Sequence, residues 1–351
     1  MADTTPGGPP LQPIAEWRDV DAATFRNVIS TRYQPAVLRG AVRHWPAVAQ
    51  AAQSPDALCA YLYGFASRSP VDALSIPAEY GGRIGYQPEL RGFNFTLDKV
   101  PLATVLEEVL KISKISPYRH PPAMVVQSAP VADCLPGFAA ENAMPLLDAA
   151  VQPRVWIGTG VATPAHIDES NNIACVVSGR RRFTLFPPEQ VGNLYLGPID
   201  YTPTGSPISL VNFDAPDFAR FPRFRAALAA AQWAELEPGD AIFIPTVWWH
   251  HVQSLAPFNL LVNYWWKGAV GANEKTASAF DSLLHSALDL RALPPEQRAA
   301  WHAIFAHFVF DADHDPGAHL PAARRGVLGA LTPEQAQQVR AWLIRRLQGG
   351  K

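Results

Sequence analysis

Three residues in this chain have the types and spacing of a metal site. His166 and Asp168 lie in Thr163-Pro164-Ala165-His166-Ile167-Asp168-Glu169, and His250 lies in Pro245-Thr246-Val247-Trp248-Trp249-His250-His251-Val252. In an extended chain the side chains of residues i and i+2 share a face, so His166 and Asp168 can grip one ion from a single strand. A third ligand has to arrive from elsewhere in the fold, and His250 is the candidate. Two imidazoles and one carboxylate on one side of an ion leave coordination positions open for a cosubstrate and dioxygen, the arrangement of non-haem Fe(II) oxygenases. A His-x-Asp triplet alone is common by chance, and a lone histidine on an apolar strand is ordinarily a core residue. The surroundings of both halves therefore decide.

Composition sets the frame for those surroundings. The chain has 351 residues, 48% hydrophobic and 17% charged, which describes a globular protein able to bury a large core. A formal charge of −2 leaves no electrostatic footprint for nucleic acid. No run of about 18 apolar residues reads as a membrane span. The opening Met1-Ala2-Asp3-Thr4-Thr5-Pro6 lacks the pattern of a secretory signal and reads as a flexible lead-in. Cys59, Cys134 and Cys175 are few, odd in number and far apart, which argues against a disulfide scaffold or a cysteine zinc site. The address they suggest is a reducing cytoplasm, where iron also stays ferrous. Proline is the outlier, with 34 residues, and fits many short strands joined by loops.

Three regions emerge from the pattern. Residues 1–117 read as a mixed, mostly helical N-terminal region, broken by a short buried strand at Pro35-Ala36-Val37-Leu38-Arg39-Gly40. In residues 118–270 helical periodicity gives way to short apolar runs between Pro, Gly and Asp turns. These runs are Ala123–Gln127, Val155–Ile157, Ile173–Val177, Phe183–Phe186, Ala241–Ile244 and Asn259–Tyr264, the signature of an all-β sandwich or barrel. Residues 271–351 turn helical, with candidate helices over Glu274–Leu290, Pro295–Phe310 and Ala336–Leu347, the last preceded by Thr332 as N-cap and Pro333 in the first turn.

The stretches Thr163–Pro188, Asn212–Phe224, Pro238–Leu255 and Val262–Gly268 together resemble the JmjC-type, cupin-like 2-oxoglutarate oxygenases, and within them the asparaginyl hydroxylases that inhibit hypoxia-inducible factor. Pro35–Gly40 with Trp45-Pro46 is a weaker match. The resemblance implies a mainly β fold, a double-stranded β-helix or jelly roll, flanked by helical N-terminal and C-terminal regions. It implies that His166, Asp168 and His250 bind Fe(II), with the first histidine of Trp248-Trp249-His250-His251 as the ligand. Strand alternation agrees, since adjacent side chains cannot both enter one barrel.

The resemblance further implies 2-oxoglutarate as cosubstrate, chelating iron at its keto-acid end. Thr163, Asn172 and Asn263 fall at polar positions of that pocket, and Gln127 on a strand facing the mouth. The basic residue for the far carboxylate falls on Arg181, where relatives usually carry lysine. Val125 stands where the hydroxylases have a tyrosine reaching the same carboxylate. The expected reaction is hydroxylation of a C–H bond on a protein, peptide or small-molecule substrate. Two other readings remain: a metal-binding cupin that does not use 2-oxoglutarate, and a non-catalytic interaction module. The apolar faces of the C-terminal helices, with Phe280, Leu283, Leu284, Leu288, Trp301, Phe305, Phe308 and Phe310, suggest a homodimer, the alternative being that they pack back on the barrel.

Overall fold

Runs of β-branched and aromatic residues, bounded by Pro, Gly and Asp, become strands throughout the longer of two structural units. The structure is a computed structural model that describes residues 9–115, 121–203, 205–267, 278–311 and 313–349. The units are Met1–Ala277 and Ser278–Lys351.

The first unit holds two sheets. The smaller has the order β1 (Gln12–Pro13), β11 (Gln232–Leu236), β10 (Arg181–Phe186), β13 (Trp249–Ser254), β8 (Ala162–His166). The larger has the order β2 (Glu16–Arg18), β3 (Ala36–Arg39), β12 (Ala241–Ile244), β9 (Asn171–Ser178), β14 (Asn259–Trp266), β7 (Pro153–Gly158), β6 (Ala123–Pro130), β4 (Pro70–Ile76), β5 (Thr96–Pro101). From β7 to β14 the chain crosses repeatedly between the sheets, placing β7, β9, β12 and β14 in the larger and β8, β10, β11 and β13 in the smaller. This is the expected double-stranded β-helix. All six apolar runs read as strands from the sequence are strands here.

The larger sheet is covered on both faces. On its inner face Ala174, Val176, Ile242, Ile244 and Leu261 meet Phe183, Leu185 and Leu236 of the smaller sheet. On its outer face Ile173, Cys175, Val262 and Tyr264 share a second core with residues of three helices. Those helices are Pro46–Gln53, Pro55–Tyr63 and Leu102–Ser113; the last buries Leu102, Val105, Leu106, Val109 and Ile112 at three- and four-residue spacing. Double coverage explains why β9 reads as a continuous apolar run rather than an alternating one.

The region 1–117, set apart in the sequence, contributes β1 to β5 to these same sheets. Its strands β4 and β5 were hidden by polar residues: β5 is an edge strand, Thr-Leu-Asp-Lys-Val-Pro, with five of its six residues exposed. Such edges gain little from apolar side chains and are guarded by charge.

Gly179 forms the turn that carries the chain from β9 to β10 and so from one sheet to the other. It sits at φ +76°, and a Cβ there would lie 2.2 Å from Asn259 Oδ1 and 2.8 Å from the Phe258 carbonyl oxygen. Gly179→Ala is therefore expected to destabilise the protein by about 2 kcal/mol, read as a lower urea midpoint. An unchanged midpoint would show that the turn can yield.

The second unit includes helices Ala279–Leu290, Pro295–Phe305, which continues into a π-helical turn at Ala306–Phe310, and Pro333–Leu347, preceded by two 3-10 turns at Ala322–Arg324 and Gly326–Leu328. Thr332 and Gln335 form a reciprocal capping box at the third. The expected start of the first helix, at Glu274, lies outside the described residues; the helix described begins after Ser278, whose hydroxyl accepts from the Phe280 N–H.

Candidate metal centre and cosubstrate pocket

Between the two sheets lies a cavity of about 60 Å³, walled from both sides. The smaller sheet supplies His166, Arg181, Phe183 and His250. The larger supplies Trp156, Asn172, Asn263 and Trp265. Among the described residues one group has the donor set of a metal site: ligand atoms of His166, Asp168 and His250 all lie within 4.8 Å of one another.

Register explains how distant residues meet. β8 and β13 are antiparallel neighbours, and His250 pairs directly with His166, their rings 4.2 Å apart. A bulge follows between His250 and Val252. Each imidazole is oriented the same way: His166 Nδ1 donates to the Pro164 carbonyl at 2.8 Å, and His250 Nδ1 to the Trp248 carbonyl at 3.0 Å. That choice leaves both Nε2 atoms as lone-pair donors toward the centre. Burial, together with the neighbouring His250, pushes the His166 imidazole well below the ordinary histidine range. It is thus neutral, the form that binds a metal.

Asp168 reaches the centre differently from the sequence expectation. β8 ends at His166, so Asp168 lies in the turn beyond the strand rather than beside its partner on it. The turn before β13 holds it there. Val247 N–H donates to the Asp168 carbonyl at 2.9 Å, and Thr246 Oγ1 approaches the same oxygen at 3.4 Å. Val247 itself has φ +57°, a strained position for a β-branched residue, maintained next to both ligand-bearing segments. The Asp168 side chain accepts from Asn172 Nδ2 at 3.1 Å and Trp265 Nε1 at 2.9 Å, both on Oδ2.

His251 turns to the other face of β13. Its ring stacks on Phe213 at 4.2 Å with 7° between planes, and burial drops its basicity to about pKa 3.

Arg181 is the cavity's isolated cation. It is 7% exposed, burial lowers its pKa to about 10, and its Nε has no hydrogen-bond partner. At neutral pH it remains charged, in a wall that includes Phe183, Val252 and Leu261. Its neighbours in sequence are paired elsewhere, Arg180 and Arg182 both with Glu235 on the opposite face. Register places Arg181 opposite Ser254 and His250 opposite Leu185. Four residues of strand, about 13 Å, therefore separate the guanidinium's row from the metal ligand's row on one face.

Of the other expected pocket residues, Thr163, Asn172 and Asn263 line the cavity. Gln127 is half-buried and is not among its lining residues; β6 bulges between Val126 and Ala129, which changes its register with β7. Val125 is buried in a separate small core with Leu74, Ile76, Ile84 and Val161. Two participants had no signal in the sequence. Trp156 lies within the apolar run Val155–Ile157 and Trp265 within Val262–Gly268, yet each directs its indole N–H into the polar network of the site. In the loop after β10, Asp217 bonds the N–H groups of Ala219 and Arg220, and Asp214 accepts from Gln253, so these acids build the loop itself.

A double-stranded β-helix with a two-histidine, one-carboxylate cluster between its sheets defines the cupin-like class, and the chain belongs to it: residues 22–271 match the cupin-like domain family. Its kin are JmjC-type proteins. The chain is 37% identical over 147 residues to human HSPB1-associated protein 1, covering 41% of this chain and 30% of that protein. It is 34% identical over 119 residues to lysine-specific demethylase JMJ31 of Arabidopsis thaliana, covering 34% of this chain and 21% of that one. It is 31% identical over 121 residues to Jumonji C domain-containing protein 5 of Drosophila melanogaster, covering 34% and 28%. The chain thus spans less than a third of the length of these relatives. No described helix is long and apolar enough to cross a membrane.

Proposed function

We propose that this protein is an Fe(II)- and 2-oxoglutarate-dependent oxygenase that hydroxylates a C–H bond, with a protein or peptide side chain as substrate. One observation carries the reading: a buried guanidinium with no counter-ion among the described residues shares a cavity with three residues that could hold a metal ion. Leaving a charge unpaired away from water costs several kcal/mol, so the arrangement calls for an anionic occupant. A five-carbon diacid suits the span, with one end on the ion and its far carboxylate on Arg181.

The donor set fits a ferrous ion, two neutral imidazoles and a carboxylate at hand with open positions beside them. Bound iron and the keto acid would supply the oxidising chemistry, in which one oxygen atom of dioxygen enters succinate as carbon dioxide leaves, and the other enters the substrate. The chain's own part is geometric. His166 and His250 present their Nε2 atoms because their Nδ1–H groups are committed to carbonyls. Asp168 supplies the anionic ligand. Arg181 anchors the diacid by a bidentate, charge-assisted contact. Phe183, Val252 and Leu261 keep water from the space between.

One relative is named for association with a protein and another for demethylating lysine, which supports a protein side chain as the substrate class here. A reducing cytoplasm suits the three free, buried thiols. The test is incubation with Fe(II), 2-oxoglutarate and candidate peptides, following succinate release and the gain of one oxygen by mass spectrometry. Succinate formation that no ion or keto acid influences would sink the reading. A metal-binding cupin without 2-oxoglutarate is the second reading: Val125, the counterpart of a tyrosine in the hydroxylases the chain resembles, lies in a separate small core and offers a far carboxylate no hydroxyl.

A homodimer through the C-terminal helices is part of this proposal. No described hydrophobic side chain of the second unit is buried in the single chain; Leu288 is 81% exposed and Phe310 73%. Burying such surface against a second copy would be favourable. Light scattering is expected to report twice the 38.3 kDa of one chain at micromolar concentration. A species of single-chain mass would remove the dimer from the account.

A further inference from the structure

The indoles of Trp156 and Trp265 are polar groups of the cavity to which the proposed reaction assigns no task. Trp265 stands directly opposite Asn172 across β14 and β9, and both donate to Asp168 Oδ2, at 2.9 and 3.1 Å. Trp156 Nε1 donates to Asn263 Oδ1 at 2.7 Å, and Asn263 Nδ2 donates to Asn172 Oδ1 at 3.2 Å. The run has a single direction. An indole can only donate and a carboxylate can only accept. With Trp156 at one end and Asp168 at the other, each asparagine must turn its oxygen toward Trp156 and its amide hydrogens toward Asp168. Trp156 thereby decides that Asn172 offers Asp168 a donor rather than a second acceptor. The Trp265 ring is braced in turn by the edge of Trp156, 6.1 Å away at 87°, and by the Arg154 guanidinium 5.7 Å from its centre.

We propose that Trp265 is a positioning residue for the metal centre. With Asn172 it holds Oδ2 of Asp168, the oxygen 3.6 Å from His250 Nε2, by two N–H groups and so fixes the angle at which the carboxylate meets the ion. The inference rests on the metal-site reading above. A carboxylate fixed in this way strengthens binding of the ion and sets the geometry of its donor set.

Full-length protein and Co(II) alone provide the test. W265F keeps an aromatic ring and deletes the N–H; it is expected to bind Co(II) about 10-fold more weakly and to shift the visible Co(II) spectrum, as loss of a group orienting a ligand does. Y264F is the packing control, because Tyr264 is buried among the outer-face core on the same strand; it is expected to leave affinity and spectrum unchanged. W156F acts only through the two asparagines, and a smaller change of the same kind is expected. Should W265F not fold, W156F decides. Parent-like affinity and spectrum in the deciding variant, or an equal change in Y264F, would overturn the proposal while leaving the metal site itself in place. A parent that binds no Co(II) sinks both readings.

Discussion

Replacing His250 with alanine is expected to abolish tight binding of Fe(II) or Mn(II), whereas His251→Ala is expected to keep most of it. The two residues are adjacent, equally aromatic and both buried, so neither composition nor burial separates them. Direction does. His250 pairs with His166 and aims a free Nε2 at Asp168 Oδ2, 3.6 Å away. His251 stacks on Phe213 of the loop after β10 and, among the described residues, belongs to no cluster of ligand atoms. Losing one of three ligands removes most of the affinity of such a site, while losing a stacked ring costs stability, on the order of 1–3 kcal/mol, without touching the ion. Isothermal titration with Mn(II) separates the cases. Equal loss at both positions would mean that β13 is registered differently against β8.

The second large effect is expected at Arg181. Truncation to alanine leaves the far carboxylate of 2-oxoglutarate unpaired in an apolar wall, a loss of about 2–5 kcal/mol. In affinity this is roughly thirty-fold to several-thousand-fold. Arg181→Lys is expected to recover part of the binding, since it restores charge with one directional contact in place of two. The same alanine variant has an opposite effect on the empty protein. Removing a buried, unpartnered cation relieves a desolvation cost, so the metal-free variant is expected to be at least as stable as the parent, read by thermal unfolding. Binding of 2-oxoglutarate by R181A with parental affinity would leave metal and fold intact and show that the diacid is anchored elsewhere.

The jelly-roll core was legible because its strands are buried on one or both faces and therefore written in apolar runs; β9 and β14 are the clearest cases. The candidate ligands stood out because metal chemistry restricts residue type so severely. What escaped depends on register. That Asp168 leaves the strand and is held by Thr246 and Val247 follows from a turn contributed by a distant segment, and no local pattern encodes it. The edge strand β5 was concealed by the charges that protect it. Gln127 was placed by resemblance alone; here it is half-buried on β6, which bulges between Val126 and Ala129. Trp156 and Trp265 lie in apolar runs without a polar signal of their own; only the hydrogen bonds of Trp156 to Asn263 and of Trp265 to Asp168 reveal that their N–H groups carry polar work.

The central claim is that a keto acid and a metal ion occupy this cavity together. Anaerobic addition of Fe(II) followed by 2-oxoglutarate tests it most directly. A weak visible charge-transfer band is expected only on addition of the keto acid, saturating with it, absent with succinate, and lost in H250A. Protein that binds Fe(II) yet develops no band at millimolar 2-oxoglutarate would contradict the account and leave a metal-binding cupin of another chemistry.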